Sequence, residues 1–280
     1  MIRKPAVAGY FYERYKDRLI EEIESCFKGK LGPGKLPEVG SGEGRILALV
    51  SPHAGFIYSG QAAAHAYYAL AMDGMPERIV IIGPNHRALG EEVALYPKGE
   101  WQTPLGNVKI DEELAKEILA QSDVIRSDPA AHLLEHSIEV QLPFLQYIFG
   151  NKFTFVPIIV YNQTLPVAIH IGQTLAKVLA GQRAIVIAST DLTHYEPKAM
   201  ANQKDGMIID CIKNMDETRL FLTIGKYRIS MCGPAGVAAA IVFAREFGGR
   251  EGILYQYYTS GDITGDMMEV VGYCSMGIVK

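Results

Sequence analysis

The chain has 280 residues, 49% of them hydrophobic, with 27 Lys and Arg against 31 Asp and Glu for a formal charge of -4. That supplies a large core and leaves no sequence-wide basic surface, which argues against a dedicated nucleic-acid binder. No apolar run approaches the roughly 20 residues that cross a bilayer, and the start, MIRKPAVAGYFYERYKDRLI, turns polar too early for a secretory signal, so the expected compartment is the cytoplasm, with no membrane contact.

Leu19, Ile20, Ile23 and Phe27 recur at helical spacing and predict a first helix from about Lys16 to Phe27, docked by one face. GKLGPGKLPEVGSGEG, at 29–44, is dense in Gly and Pro and reads as the loop that joins this helix to the body. RILALV (45–50) predicts a buried strand, SGQAAAHAYYALAM a helix, and RIVIIG (78–83) the next strand. The piece from 91 to 109, with Trp101 and Gly106, reads as an antiparallel excursion. Two helical patterns follow, DEELAKEILAQS and EHSIEVQLPFLQYIFG, and then the strand FTFVPIIV (153–160). Beyond it come the helix TLPVAIHIGQTLAKVLAG, the strand RAIVIAS (183–189) and the helices MANQKDGMIIDCIKNM and GPAGVAAAIVFAREFG. GILYQYY (252–258) and EVVGYCSMGIV (269–279) close the chain as strands. This alternation predicts one α/β domain over 1–280, with a largely parallel central sheet flanked by helices.

In such sheets ligands bind beyond the carboxyl ends of the strands. RILALV is followed there by Ser51-Pro52-His53, RIVIIG by Pro84-Asn85-His86, and RAIVIAS by Thr190-Asp191-Leu192-Thr193-His194. Three of the chain's seven histidines thus reach one sheet edge, which points to a shared metal site. Two histidines with one carboxylate is the facial arrangement of non-haem Fe(II) enzymes, and Asp191, Glu135 and Asp262 are the available carboxylates. Glu135 is expected in the first turn of the EHSIEVQLPFLQ helix, where the dipole favours an acid. Cys232 offers a different third ligand: it opens the CGPAGVAAAIVFA helix, whose N-terminus is expected to stabilise a thiolate and lower its pKa. Cys26, Cys211 and Cys274 form no CxxC pair and read as small buried residues.

His132-Leu133-Leu134-Glu135-His136 matches H-x-x-E-H, the signature of inverted zinc peptidases, which needs both histidines on one face of a continuous helix. Asp128-Pro129 just upstream starts a helix near or within the motif and argues against that reading. No G-x-S-x-G, phosphate-loop or dinucleotide signature occurs, and GKLGPGKL has Leu36 where a phosphate loop needs a hydroxyl.

Taken in order, VAGYFY, SPHAGFIYSG, GPNH, EHSIEVQLPFLQ, STDLTHY, CGPAG and YTSGD resemble the Memo family, whose prokaryotic members are often called AmmeMemoRadiSam system protein B. The resemblance implies a fold similar to class III, LigB-type extradiol dioxygenases, which use non-haem Fe(II). It also implies that His53, His86 and Cys232 hold a metal, with Asp191 and His194 as catalytic residues of the same pocket. In those dioxygenases the third ligand is a carboxylate, and a histidine at the place of His194 acts as acid and base. Here Cys232 stands where the carboxylate would be, and a thiolate is softer and better suited to copper(I) or a redox role. His132 lies outside the family motif, and the system name implies radical-SAM partners.

Two functions are then expected. One is a metal-dependent redox enzyme of unknown substrate, with Fe(II) or copper on His53, His86 and Cys232, His194 moving protons and Asp191 orienting it. The other is a non-catalytic binding module that grips an anionic ligand or a partner's peptide in the same pocket.

Overall fold

Four of the apolar runs lie side by side as parallel strands because each is buried on both faces and can sit only in the middle of a covered sheet. The computed structural model describes residues 1–280. The chain begins with β1 (Ile2–Arg3), α1 (Lys16–Lys28), β2 (Ile46–Ser51), α2 (Phe56–Asp73) and β3 (Arg78–Pro84). It continues through β4 (Val93–Leu95), β5 (Glu100–Thr103), β6 (Gly106–Ile110), α3 (Glu112–Gln121), β7 (Arg126–Ser127), α4 (Leu142–Phe149) and β8 (Thr154–Val160). Then come α5 (Leu165–Val178), β9 (Ala184–Ser189), β10 (His194–Glu196), α6 (Lys198–Lys213), α7 (Glu217–Tyr227) and α8 (Pro234–Glu246). The chain closes with β11 (Glu251–Thr259), α9 (Ser260–Thr264) and β12 (Val270–Val279).

The main sheet has the order β1-β5-β6-β8-β3-β9-β2-β12-β10, and β11 pairs with β12. β8, β3, β9 and β2 are mutually parallel, whereas β12 runs antiparallel to β2 and to β11. The expected excursion is present as the antiparallel hairpin β5–β6 and as β4 antiparallel to β8. Two helical groups flank the sheet: α1, α2 and α4 pack together with α2 on β2 and β12, while α5 and α8 pack together with α8 on β9 and β2. One cluster of 74 buried residues runs through these layers, so the chain has a single main core. No helix is long and apolar enough to cross a membrane.

The EHSIEVQLPFLQ segment departs from its expected helix. Residues Glu139–Gln141 form a 3-10 turn, and the α-helix begins only at Leu142, with Pro143 in its first turn. Glu135 therefore sits in a turn, outside any helix, and the dipole argument for it fails.

Candidate metal centre

β3, β9 and β2 are neighbours, so His86, Asp191 and His53, each just beyond its strand, open onto one crevice. The rings of His53 and His86 stand nearly perpendicular, 5.1 Å apart at their centroids. Cys232 joins them from the turn before α8, with its Sγ 3.2 Å from His53 Nε2. Three hydrogen bonds hold that turn to the end of β9: the Asp191 N–H donates to Cys232 Sγ at 3.1 Å, the Cys232 N–H to the Asp191 carbonyl at 3.3 Å, and the Gly233 N–H to Thr190 Oγ1 at 3.0 Å. Gly233 is required here, since a Cβ would meet the Ser189 carbonyl oxygen at 2.7 Å. One ligand atom each from His53, His86 and Cys232 lies within 4.8 Å of the others. Nitrogen and sulfur ligands of one tetrahedral ion are about 3.5 Å apart, so this donor set fits a metal with small adjustment.

The electrostatics suit neutral ligands. Burial pushes the His53 pKa well below the ordinary value, and the neighbouring His136 and His86 push it further, so the imidazole is in its ligating form. The Cys232 thiol behaves opposite to the sequence expectation. Burial, and then the Asp191 charge, raise its pKa, and these outweigh the hydrogen bonds from Thr190 and the Asp191 N–H that lower it. A bound cation reverses that balance, because a coordinated thiol is deprotonated. Burial also raises Asp191, to about 6, against the hydrogen bond from the His53 N–H that lowers it.

Asp191 and His194 do not form the expected orienting pair. Asp191 Oδ1 accepts from the His53 backbone N–H at 2.8 Å, so this carboxylate holds a ligand's main chain. His194 lies on β10, and its Nδ1 is within 2.7 Å of the Leu192 carbonyl and 2.9 Å of the Ser230 carbonyl. Both are pure acceptors, so Nδ1 carries the proton and Nε2 is the basic atom.

Of the other sequence candidates, Glu135 belongs to the site and Asp262 does not. Glu135 is 1% exposed, with its Oε1 3.0 Å from His86 Nδ1. Asp262 caps α9 through Thr259 and pairs with Lys198. His132 ends a 3-10 turn, with its Nε2 3.1 Å from the Ala94 carbonyl and its ring against Tyr96 and Trp101, so no continuous H-x-x-E-H helix exists. Cys26, Cys211 and Cys274 are buried free thiols, as expected.

His136, considered from the sequence only within the H-x-x-E-H motif and the EHSIEVQLPFLQ segment, also belongs to the site. Its ring stacks on His86 at 4.7 Å and meets His53 edge-on at 5.4 Å, and burial pushes its pKa down to about 4. The available signal was its adjacency to Glu135. A surface hollow lined by Leu47, Arg183 and Phe247 sits at the opposite, amino end of the strands and contains none of these groups.

The fold and the site thus define an α/β protein with a His-His-Cys cluster at the carboxyl edge of its parallel strands. A family model described as Memo-like protein matches residues 3–277, and the chain belongs to the Memo family. A "MEMO1 family protein" of Methanobrevibacter smithii is 47% identical over 286 residues, covering 100% of both chains. Another from Methanothermobacter thermautotrophicus is 48% identical, covering 99% of this chain and 100% of its own. A third, from Methanopyrus kandleri, is 46% identical over 99% of this chain and 98% of its own. Among solved structures, an uncharacterized protein of Escherichia coli K12 shares the fold with a TM-score of 0.56 at 13% identity, covering 84% of this chain and 100% of that one.

Proposed function

We propose that this chain is a metal-dependent redox enzyme that holds iron or copper through His53, His86 and Cys232. The observation that carries the reading is the convergence of these three donors, two from the strand ends on either side of β9 and one from the turn before α8, within 4.8 Å. When bound, such an ion supplies one-electron chemistry and Lewis acidity toward a small substrate. The protein's own residues supply the rest. Buried His53 stays neutral and available as a donor. His194, with Nδ1 tied to the Leu192 and Ser230 carbonyls, accepts a proton at Nε2. Cys232 in a place where related dioxygenases are expected to carry a carboxylate favours copper(I) or thiolate-supported redox work over ring opening.

The test is metal analysis of protein purified without oxygen, comparing wild type with Cys232→Ala and His53→Ala. Near-stoichiometric iron or copper in the wild type, lost in both variants, is the expected result. A wild type that holds neither metal, even after anaerobic reconstitution, overturns the reading and leaves the pocket to be probed with anionic ligands and peptides.

A further inference from the structure

Histidine has two ring nitrogens, and which one is free to bind an ion is set by what holds the other. For His86 the holder is Glu135. One carboxylate oxygen accepts from the His86 backbone N–H at 2.6 Å, and the other lies 3.0 Å from His86 Nδ1. That second oxygen also accepts from the N–H groups of His136 (2.8 Å) and Ser137 (2.9 Å). Oε1 thus takes three donors and Oε2 one. With the His136 and Ser137 N–H groups on its lone pairs, Oε1 can only accept from His86 Nδ1, so Nδ1 carries the proton and Nε2 is the lone pair.

For His53 the holder is Ser189, and its role is fixed by a count of hydrogens. Ser189 Oγ has one proton, which it donates to the Ser137 carbonyl at 2.6 Å. It also accepts from Gln141 Nε2 at 2.8 Å. The Gln141 amide cannot be turned over, because the same Nε2 lies 2.9 Å from the Pro52 carbonyl, which has no proton to give. One lone pair of Ser189 Oγ remains, and His53 Nδ1 is 2.9 Å from it. His53 Nδ1 must therefore be the donor, leaving Nε2, the atom beside Cys232 Sγ, unprotonated.

We propose that Glu135 and Ser189 are positioning residues that fix His86 and His53 in the Nδ1–H tautomer, so that both offer Nε2 to the ion, and that the 135–141 segment builds both holders. Its Glu135 acts directly, while its Ser137 carbonyl and Gln141 amide orient the Ser189 hydroxyl. His86, Glu135 and His136 also lie close together, and there Glu135 Oε1 is already committed to N–H donors.

The purpose of this arrangement rests on the proposed metal centre, but its test does not. Long-range 1H–15N correlation of metal-free protein labelled in histidine reads each ring's tautomer directly. The expected wild-type result is Nδ1–H for both His53 and His86. In Glu135→Gln, His86 alone becomes a mixture of tautomers; in Ser189→Ala, His53 alone does. Titration with zinc, a probe without redox chemistry, is expected to show affinity about 10-fold to 100-fold weaker in each variant. An Nε2–H tautomer for either ring in the wild type overturns the proposal whether or not any variant folds. So does unchanged zinc affinity in both variants. Wild type with the expected tautomers but no iron or copper supports the positioning and refutes the redox reading, so the two failures are separable.

Discussion

Arg3 is a guanidinium buried at 1% exposure, and the groups around it explain how it can be. It donates to the carbonyls of His132 and Glu135 and to the Glu139 carboxylate at 2.6 Å, and it lies 4.1 Å over the Trp101 ring. Glu139 in turn accepts from the N–H groups of Ala6 and Val7 and from the Tyr12 hydroxyl. The pair thus staples the N-terminal strand and loop to the segment that carries Glu135. Removing one partner of such a pair leaves the other charge buried alone, which costs about 3–5 kcal/mol. Glu139→Gln is therefore expected to lower stability by about that amount in urea melts, and Arg3→Met added to it to recover part of the loss. Recovery of nothing would show that the two residues act separately.

At the level of elements, β3 and the turn that carries Glu135 approach so closely that Gly83 has no room for a side chain. A Cβ there would meet Ser137 Oγ at 2.5 Å, and Ser137 is pinned because its hydroxyl donates to the Pro84 carbonyl. Gly83→Ala is expected to push the 135–138 turn off β3, destabilise the protein by about 1–3 kcal/mol, and weaken zinc binding along with it. A melt and a zinc titration check both, and a variant that melts early but binds zinc normally would uncouple the turn from the site. The central strands were legible in the sequence because β2, β3, β8 and β9 are continuous apolar runs between turn residues. The histidine edge was legible for the same reason, since a strand end is where its run stops. EHSIEVQ misled because Ile138, Leu142 and Leu145 fall at helical spacing. Its polar residues, Glu135, Ser137, Glu139 and Gln141, instead alternate, share no helical face and are all buried. β1 and β10 have two and three residues and exist only through pairing with β5 and β12, which no local pattern encodes. Ser189 and Gln141 escaped notice because their partners are distant in the chain.

Across the whole molecule, burial keeps His53, His132 and His136 neutral, His132 down to about 3 and His136 down to about 4. The unfolded chain takes up these protons below about pH 6.5, whereas the folded chain refuses them, so stability is lost as pH falls from 6.5 toward 4. Asp191, raised by burial from 3.8 to about 6, has the opposite sign in that window, because its folded form binds the proton first. His65 is pushed down in the same sense, while Glu22 and Asp205, pushed up by burial, act with Asp191, so each histidine proton left uncompensated adds up to about 1.4 kcal/mol per pH unit. Urea melts of metal-free protein at stepped pH should show this slope, and His132→Phe should reduce it by about one proton. A flat profile would contradict the burial of these rings.

The donors of the candidate centre meet only in the finished sheet, and His53 and Cys232 are 179 positions apart in the chain. A small zinc module can use its ion to drive folding because its ligands are near neighbours in sequence. Here the ribosome releases His53 long before Cys232 exists, and β2, β3 and β9 must be paired before their ends face one another. An ion that needs all three donors can therefore be held only once strands distant in sequence have paired, so its hold on the protein measures the finished sheet and no local stretch of chain.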